Sequence, residues 1–119
     1  MADGIKGFPR LIRATRVSYW GLASAWRTEE AFRTEACLCV LLIPAALWFG
    51  PSGIGRAVML MSLFAVLITE LLNTAVEVVV DRIGTEHHEL SGRAKDLGSA
   101  AVHLSLLQVP VIWSCVLFF

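Results

Sequence analysis

Three polar side chains, Glu70, Asn73 and Glu77, interrupt an otherwise apolar run that continues to Val80. Carboxylates are costly in hydrocarbon, so an acid retained in such a run generally serves a proton, an ion or a substrate. On a helix the two glutamates, seven residues apart, face nearly the same side. Asn73 falls between them at neighbour spacing, i+3 from one and i−4 from the other. Asp81 extends the row by one more turn, and the two glutamates span about 10 Å of polar stripe. Further acids, Glu29, Glu30 and Glu35, stand at the entry to an earlier apolar segment, and Arg93, Lys95, Asp96 and Ser99 at the entry to a later one. Opposed carboxylates from two helices suit Mg²⁺, which takes one or two of them together with phosphate oxygens. Nearby Arg and Lys suit a polyphosphate. A base placed deeper, at Glu70, suits a proton donor carried by a lipid, such as a hydroxyl.

Each element also has a plainer reading. Glu29, Glu30 and Arg33 could form an interfacial salt-bridge cluster, and Arg93, Lys95 and Asp96 a solvated loop. Glu86-His87-His88-Glu89 offers donors for a transition metal, but adjacent histidines on a helix point apart. His103 reads as a packed or interhelical hydrogen-bonding side chain. The Glu70–Glu77 stripe could tie two spans together, or serve a non-enzymatic proton or cation carrier that neither binds nor consumes ATP. The Gly-rich phosphate loop of P-loop proteins and the His-Arg-Asp and Asp-Phe-Gly signatures of protein kinases are absent.

These residues need a membrane scaffold to position them. Of 119 residues 56% are hydrophobic and 17% charged, with a mean hydropathy of +0.68, against about 45–50% and 25% in soluble domains. One compact all-α membrane domain is expected over 1–119. Phe8, Leu11, Ile12, Thr15, Tyr19, Leu22, Ala23 and Trp26 recur at three- and four-residue intervals, with Arg10, Arg13 and Arg16 on the other flanks. That pattern predicts an amphipathic surface helix over about 8–26, with Pro9 in its first turn. Its role is lipid anchoring or phosphate binding. Spans are expected at about 31–49, 57–80 and 97–119, the first bent by Pro44 and followed by a turn at Gly50-Pro51-Ser52-Gly53. Helix is expected to continue into the 81–96 loop, with Gly84 and Gly92 as break points. Basic residues flank the N-terminal segment and that loop, so both are expected on the cytoplasmic side. No signal peptide is expected. Cys37, Cys39 and Cys115 read as packing residues.

Two stretches carry a resemblance. Glu-Leu-Leu-Asn-Thr-Ala-Val-Glu-Val-Val-Val-Asp-Arg-Ile-Gly (70–84) and His-Glu-Leu-Ser-Gly-Arg-Ala-Lys-Asp-Leu-Gly-Ser-Ala-Ala (88–101) resemble the signature of the small bacterial integral-membrane diacylglycerol kinases. Gly7-Phe8, Trp26 and Ala31-Phe32-Arg33 are similar as well, so the likeness covers nearly the whole chain. It implies a homotrimeric bundle, each protomer with a surface helix and three transmembrane helices, in the bacterial inner membrane with the N-terminus cytoplasmic. It also implies transfer of the γ-phosphate of MgATP to the primary hydroxyl of diacylglycerol, at sites shared between protomers. By motif position it implies Glu70 as general base, ordered by Asn73, and Glu29 and Glu77 as Mg²⁺ ligands. Arg10, Glu86, His87, His88, Lys95 and Asp96, with Glu29 and Glu77, would hold the nucleotide. Arg10, Thr15, Tyr19, Glu70, Ser99 and Trp113 would meet the lipid substrate. Val17, Thr28, His87 and the additional Glu30 depart from the family's usual residues. An undecaprenol kinase on the same scaffold would share the catalytic acids.

Overall fold

The computed structural model describes residues 6–119, which form four helices and no strand. These are α1 (Phe8–Thr28), α2 (Glu30–Phe49), α3 (Gly53–Ile83) and α4 (Glu89–Phe118). The last three are long and apolar enough to cross a membrane, which makes this a multi-pass membrane protein.

Gly7 precedes α1 with φ 72°, a left-handed backbone that favours glycine, and Pro9 sits in the first turn. Only Ala25 of α1 is buried, so its apolar residues, Phe8 and Trp20 among them, face outward. Such an apolar stripe is suited to a bilayer surface or to neighbouring chains. Glu29 alone separates α1 from α2, in extended backbone. The corner is held from the far side: the Arg33 guanidinium donates to the carbonyls of Trp26, at 2.7 Å, and Arg27, at 3.2 Å. These bonds satisfy carbonyls that the end of α1 leaves without helical partners. Arg33 therefore acts as a cap on α1 and not only as a member of an interfacial charge cluster.

The helices outrun the apolar stretches. α3 begins at Gly53 rather than near residue 57, with Ser52 Oγ accepting from the Gly55 N–H at 3.0 Å. It continues through Asp81 and Arg82 to Ile83. α4 begins at Glu89, well before the apolar stretch at 97. The polar connection shrinks to residues 84–88. Gly84 ends α3 as anticipated, but Gly92 lies inside α4 and breaks nothing. The His88 side chain accepts from the Leu90 N–H at 3.1 Å, and the Gly92 N–H donates to the His88 carbonyl at 2.9 Å. With the first turn closed in this way, the roughly 1 kcal/mol disadvantage of one glycine does not stop the helix. Pro44 and Pro110 are likewise carried within α2 and α4.

The core is one seam of α3. Met59, Leu63, Val66 and Glu70 are all buried, at the three- and four-residue steps of a single helix face. Phe32, Cys39 and Ala46 of α2 and Ser105 of α4 are buried with them. Ala46 is fully enclosed, the kind of small residue that lets membrane helices approach closely. Towards the end away from the 84–88 loop, polar bonds join α4 to α3. Gln108 Nε2 donates to the Ser62 carbonyl at 2.9 Å, and Trp113 Nε1 donates to Ser62 Oγ at 2.9 Å. We expect Ser62→Ala to lower stability by about 1 kcal/mol, the scale of an interhelical membrane hydrogen bond. Unfolding in detergent titrated with dodecyl sulfate would measure it.

The molecule measures 47 × 42 × 22 Å. The longest dimension matches the ~46 Å length of a 31-residue helix. The second is too large for three helices set side by side at 8–10 Å spacing, so α1 projects sideways from the bundle. This layout puts one amphipathic helix, the Glu29 corner and the polar end of α3 at the same level.

Candidate active site

The catalytic candidates are strung along one face of α3. Glu70 is buried, only 5% exposed, and its Oε2 meets no hydrogen-bond partner in the protein. Asn73 and Glu77 are half-buried, and Asn73 Nδ2 donates to Glu77 Oε1 at 3.2 Å. This bond leaves the second oxygen of Glu77 for another ligand while limiting how the carboxylate can turn. Asn73 Oδ1 is buried without a donor. Buried polar atoms are seldom left unpaired in proteins. The unpaired oxygen of Glu70 is the one on this face that a substrate hydroxyl could complete.

Glu35 joins this group across the helix interface. Its carboxyl is a close neighbour of Glu70, and its Oε2 is also buried without a partner. Sequence reasoning put Glu35 at the entry to the first span and missed the pairing. The available signal was an acid one helical turn before Cys39, itself buried against α3 with its Sγ 3.9 Å from the Leu63 carbonyl. Below the pair, Leu38, Leu42, Leu63 and Val66 help enclose an apolar cavity of about 160 Å³ that Glu35 borders.

A second cluster forms at the polar end of the bundle. The 84–88 loop and the first turns of α4 enclose a cavity of about 170 Å³ lined by Asp81, Glu86, His87, His88 and Lys95, among others. Four nucleotide candidates from the sequence are thus brought together. Asp96 is exposed on α4, one residue beyond Lys95. Lys95 Nζ is held by Asp81 Oδ1 at 2.8 Å, in a bridge whose two side chains are about half exposed. An exposed pair of this kind contributes little to stability. Asp81, placed in the carboxylate row by its spacing, acts here as the partner of Lys95.

The remaining candidates do not line the polar-loop cavity. Arg10, Thr15 and Tyr19 are exposed along α1, with the Thr15 hydroxyl bonded to the Leu11 carbonyl at 2.9 Å. Glu29 is half-exposed at the α1–α2 corner. Ser99 is exposed about three turns into α4, whereas Trp113 lies fourteen residues further along, about 21 Å away. Trp113 is bonded to Ser62, towards the end of the bundle away from the 84–88 loop.

Among the described residues no group of three or more His, Cys, Asp or Glu side chains is arranged to hold a metal ion. This excludes the Glu86–Glu89 tetrad as a preformed transition-metal centre, because His88 is engaged as the cap of α4. Mg²⁺ asks less of a protein, one or two carboxylates, with phosphates supplying further oxygens. Glu77, steadied by Asn73 and with one oxygen unengaged by that bond, has the chemistry of such a ligand.

Comparison with known proteins adds an independent line. A family model described as prokaryotic diacylglycerol kinase matches residues 16–117. The chain is 46% identical over 117 residues to a diacylglycerol kinase of Escherichia coli K12, covering 98% of this chain and 95% of that protein. It is 50% identical over 113 residues to the Haemophilus influenzae diacylglycerol kinase, covering 95% and 96% of the two chains. For the Pseudomonas aeruginosa diacylglycerol kinase the identity is 43% over 114 residues, covering 96% and 93%.

Proposed function

We propose that this chain, which belongs to the prokaryotic diacylglycerol kinase family, transfers the γ-phosphate of ATP to the primary hydroxyl of diacylglycerol, giving phosphatidic acid and ADP. The observation that carries the reading is the buried Glu70 carboxylate with its unpartnered oxygen, set in an apolar wall beneath the Glu77 row and the polar loop. A lipid hydroxyl approaching from the bilayer meets the base, while a charged triphosphate stays in the polar layer above.

In the reaction Glu70 accepts the hydroxyl proton as the lipid oxygen attacks the γ-phosphorus in line. The bond to the β–γ bridging oxygen breaks, and that oxygen leaves with ADP. No phosphoenzyme is needed. Asn73 orders the Glu70–Glu77 face through its bond to Glu77. Lys95, released from Asp81, turns to the phosphates beside Glu86, His87, His88 and Asp96. Glu29 and Glu77 would hold the Mg²⁺ that accompanies ATP, which would neutralise charge on the phosphate oxygens. Positioning and electrostatics account for most of the rate, as in phosphoryl transfer generally.

Glu29, Arg10, Thr15 and Tyr19 on one chain lie away from the polar-loop cavity, and just 6% of the apolar stretch of α4 is buried within the protomer. Both facts favour a homotrimer whose sites combine α1 and the corner of one protomer with α3 and α4 of another, in the inner membrane with the loop cytoplasmic. The activity test uses the purified protein in mixed micelles with γ-labelled ATP and diacylglycerol. Label should enter phosphatidic acid only when Mg²⁺ is present. Transfer to undecaprenol in preference to diacylglycerol would replace the substrate assignment, and the absence of any ATP consumption would end the kinase reading.

A further inference from the structure

The close approach of α3 and α4 beside Asn73 has its own consequence for the site. A Cβ built on Gly98 would lie 2.1 Å from Asn73 Oδ1 and 3.2 Å from Asn73 Cγ. The carboxamide of Asn73 therefore occupies the volume that any side chain at position 98 would need. Its two ends are chemically distinct. Only the NH₂ group can face the Glu77 carboxylate, because a carbonyl oxygen there would meet another acceptor. With Nδ2 on Glu77 Oε1 at 3.2 Å, Oδ1 is turned towards the α4 backbone at Gly98. That oxygen is buried and receives no N–H or O–H, so it is kept there by shape. Contact with glycine Cα–H, a weak donor, suits this geometry.

We infer that Gly98 is a positioning residue for the phosphotransfer site: its bare backbone is the seat that orients the Asn73 carboxamide and thereby aims the Glu77 carboxylate. The inference rests on the reading of Glu77 as a Mg²⁺ ligand. Alanine is intrinsically the better helix former, so Gly98→Ala should not weaken α4 itself. Its effect comes from displacing Asn73. Partners that orient a metal-binding side chain typically change metal affinity by about 10–100-fold when lost.

The test measures the Mg²⁺ dependence of diacylglycerol phosphorylation for Gly98→Ala, Asn73→Ala, the double variant and Glu77→Gln. Gly53→Ala serves as control, because a Cβ there meets no atom within 4 Å. Mn²⁺ binding in the presence of a non-hydrolysable ATP analogue, followed by electron paramagnetic resonance, gives a readout independent of turnover. Gly98→Ala should raise the half-saturating Mg²⁺ about tenfold and weaken Mn²⁺ binding similarly, with the KM for lipid unchanged. Once Asn73 is alanine, adding Gly98→Ala should change Mn²⁺ binding less than about twofold, since the two act through one contact. Equal losses in both backgrounds, or unchanged metal dependence in Gly98→Ala while Glu77→Gln is impaired, would overturn the role of Gly98. Unchanged metal dependence in Glu77→Gln itself would instead remove the ligand assignment on which it rests.

Discussion

Glu70→Gln is expected to reduce turnover about a thousandfold, while the purified variant keeps the helix content and oligomeric size of the wild type. Gln preserves the volume of the side chain and can still form hydrogen bonds, so packing on the α3 seam should survive. What it lacks is a carboxylate to accept the proton of the attacking hydroxyl. ATP and Mg²⁺ affinities should stay close to wild type, since Glu70 lies two turns below Glu77. Turnover, nucleotide binding and gel-filtration size on the same preparation test this directly. Near-normal turnover would rule Glu70 out as the base and direct attention to its neighbour Glu35.

Glu77→Gln should be nearly as damaging for a different reason. It removes one negative ligand from the proposed Mg²⁺ site and leaves Asn73 facing a neutral amide instead of a carboxylate. We expect activity at ordinary Mg²⁺ to fall about a hundredfold, with partial recovery as Mg²⁺ is raised. No such recovery is expected for Glu70→Gln, because added cation does not replace a missing base. Rates measured across Mg²⁺ concentrations at fixed ATP separate the two variants. Identical, metal-independent losses would mean that Glu77 is not a ligand.

The fold was legible in the sequence because hydropathy reports directly which stretches can face lipid. Three apolar segments and one amphipathic helix correspond to α2, α3, α4 and α1. Helix ends were less legible. Hydropathy marks the edges of the apolar stretches, whereas α3 and α4 continue past them through Asp81, Arg93 and Lys95. The row from Glu70 to Glu77 was visible because its spacing is confined to one helix. The pairing of Glu35 with Glu70 depends on the register between α2 and α3, which no spacing along a single segment encodes. Gly98 was visible as a letter of a signature, but its purpose is a contact with Asn73 on another helix. Lys95 and Trp113 likewise reveal their partners, Asp81 and Ser62, only in three dimensions.

The joint between α1 and α2 is a single extended residue, and that residue is Glu29. With Arg33 clamping the last carbonyls of α1, the angle of the surface helix and the location of this carboxylate form one mechanical variable. A change in leaflet thickness or headgroup charge that re-tilts α1 therefore displaces Glu29 as well. The lever on which lipid composition acts carries the acid at its fulcrum.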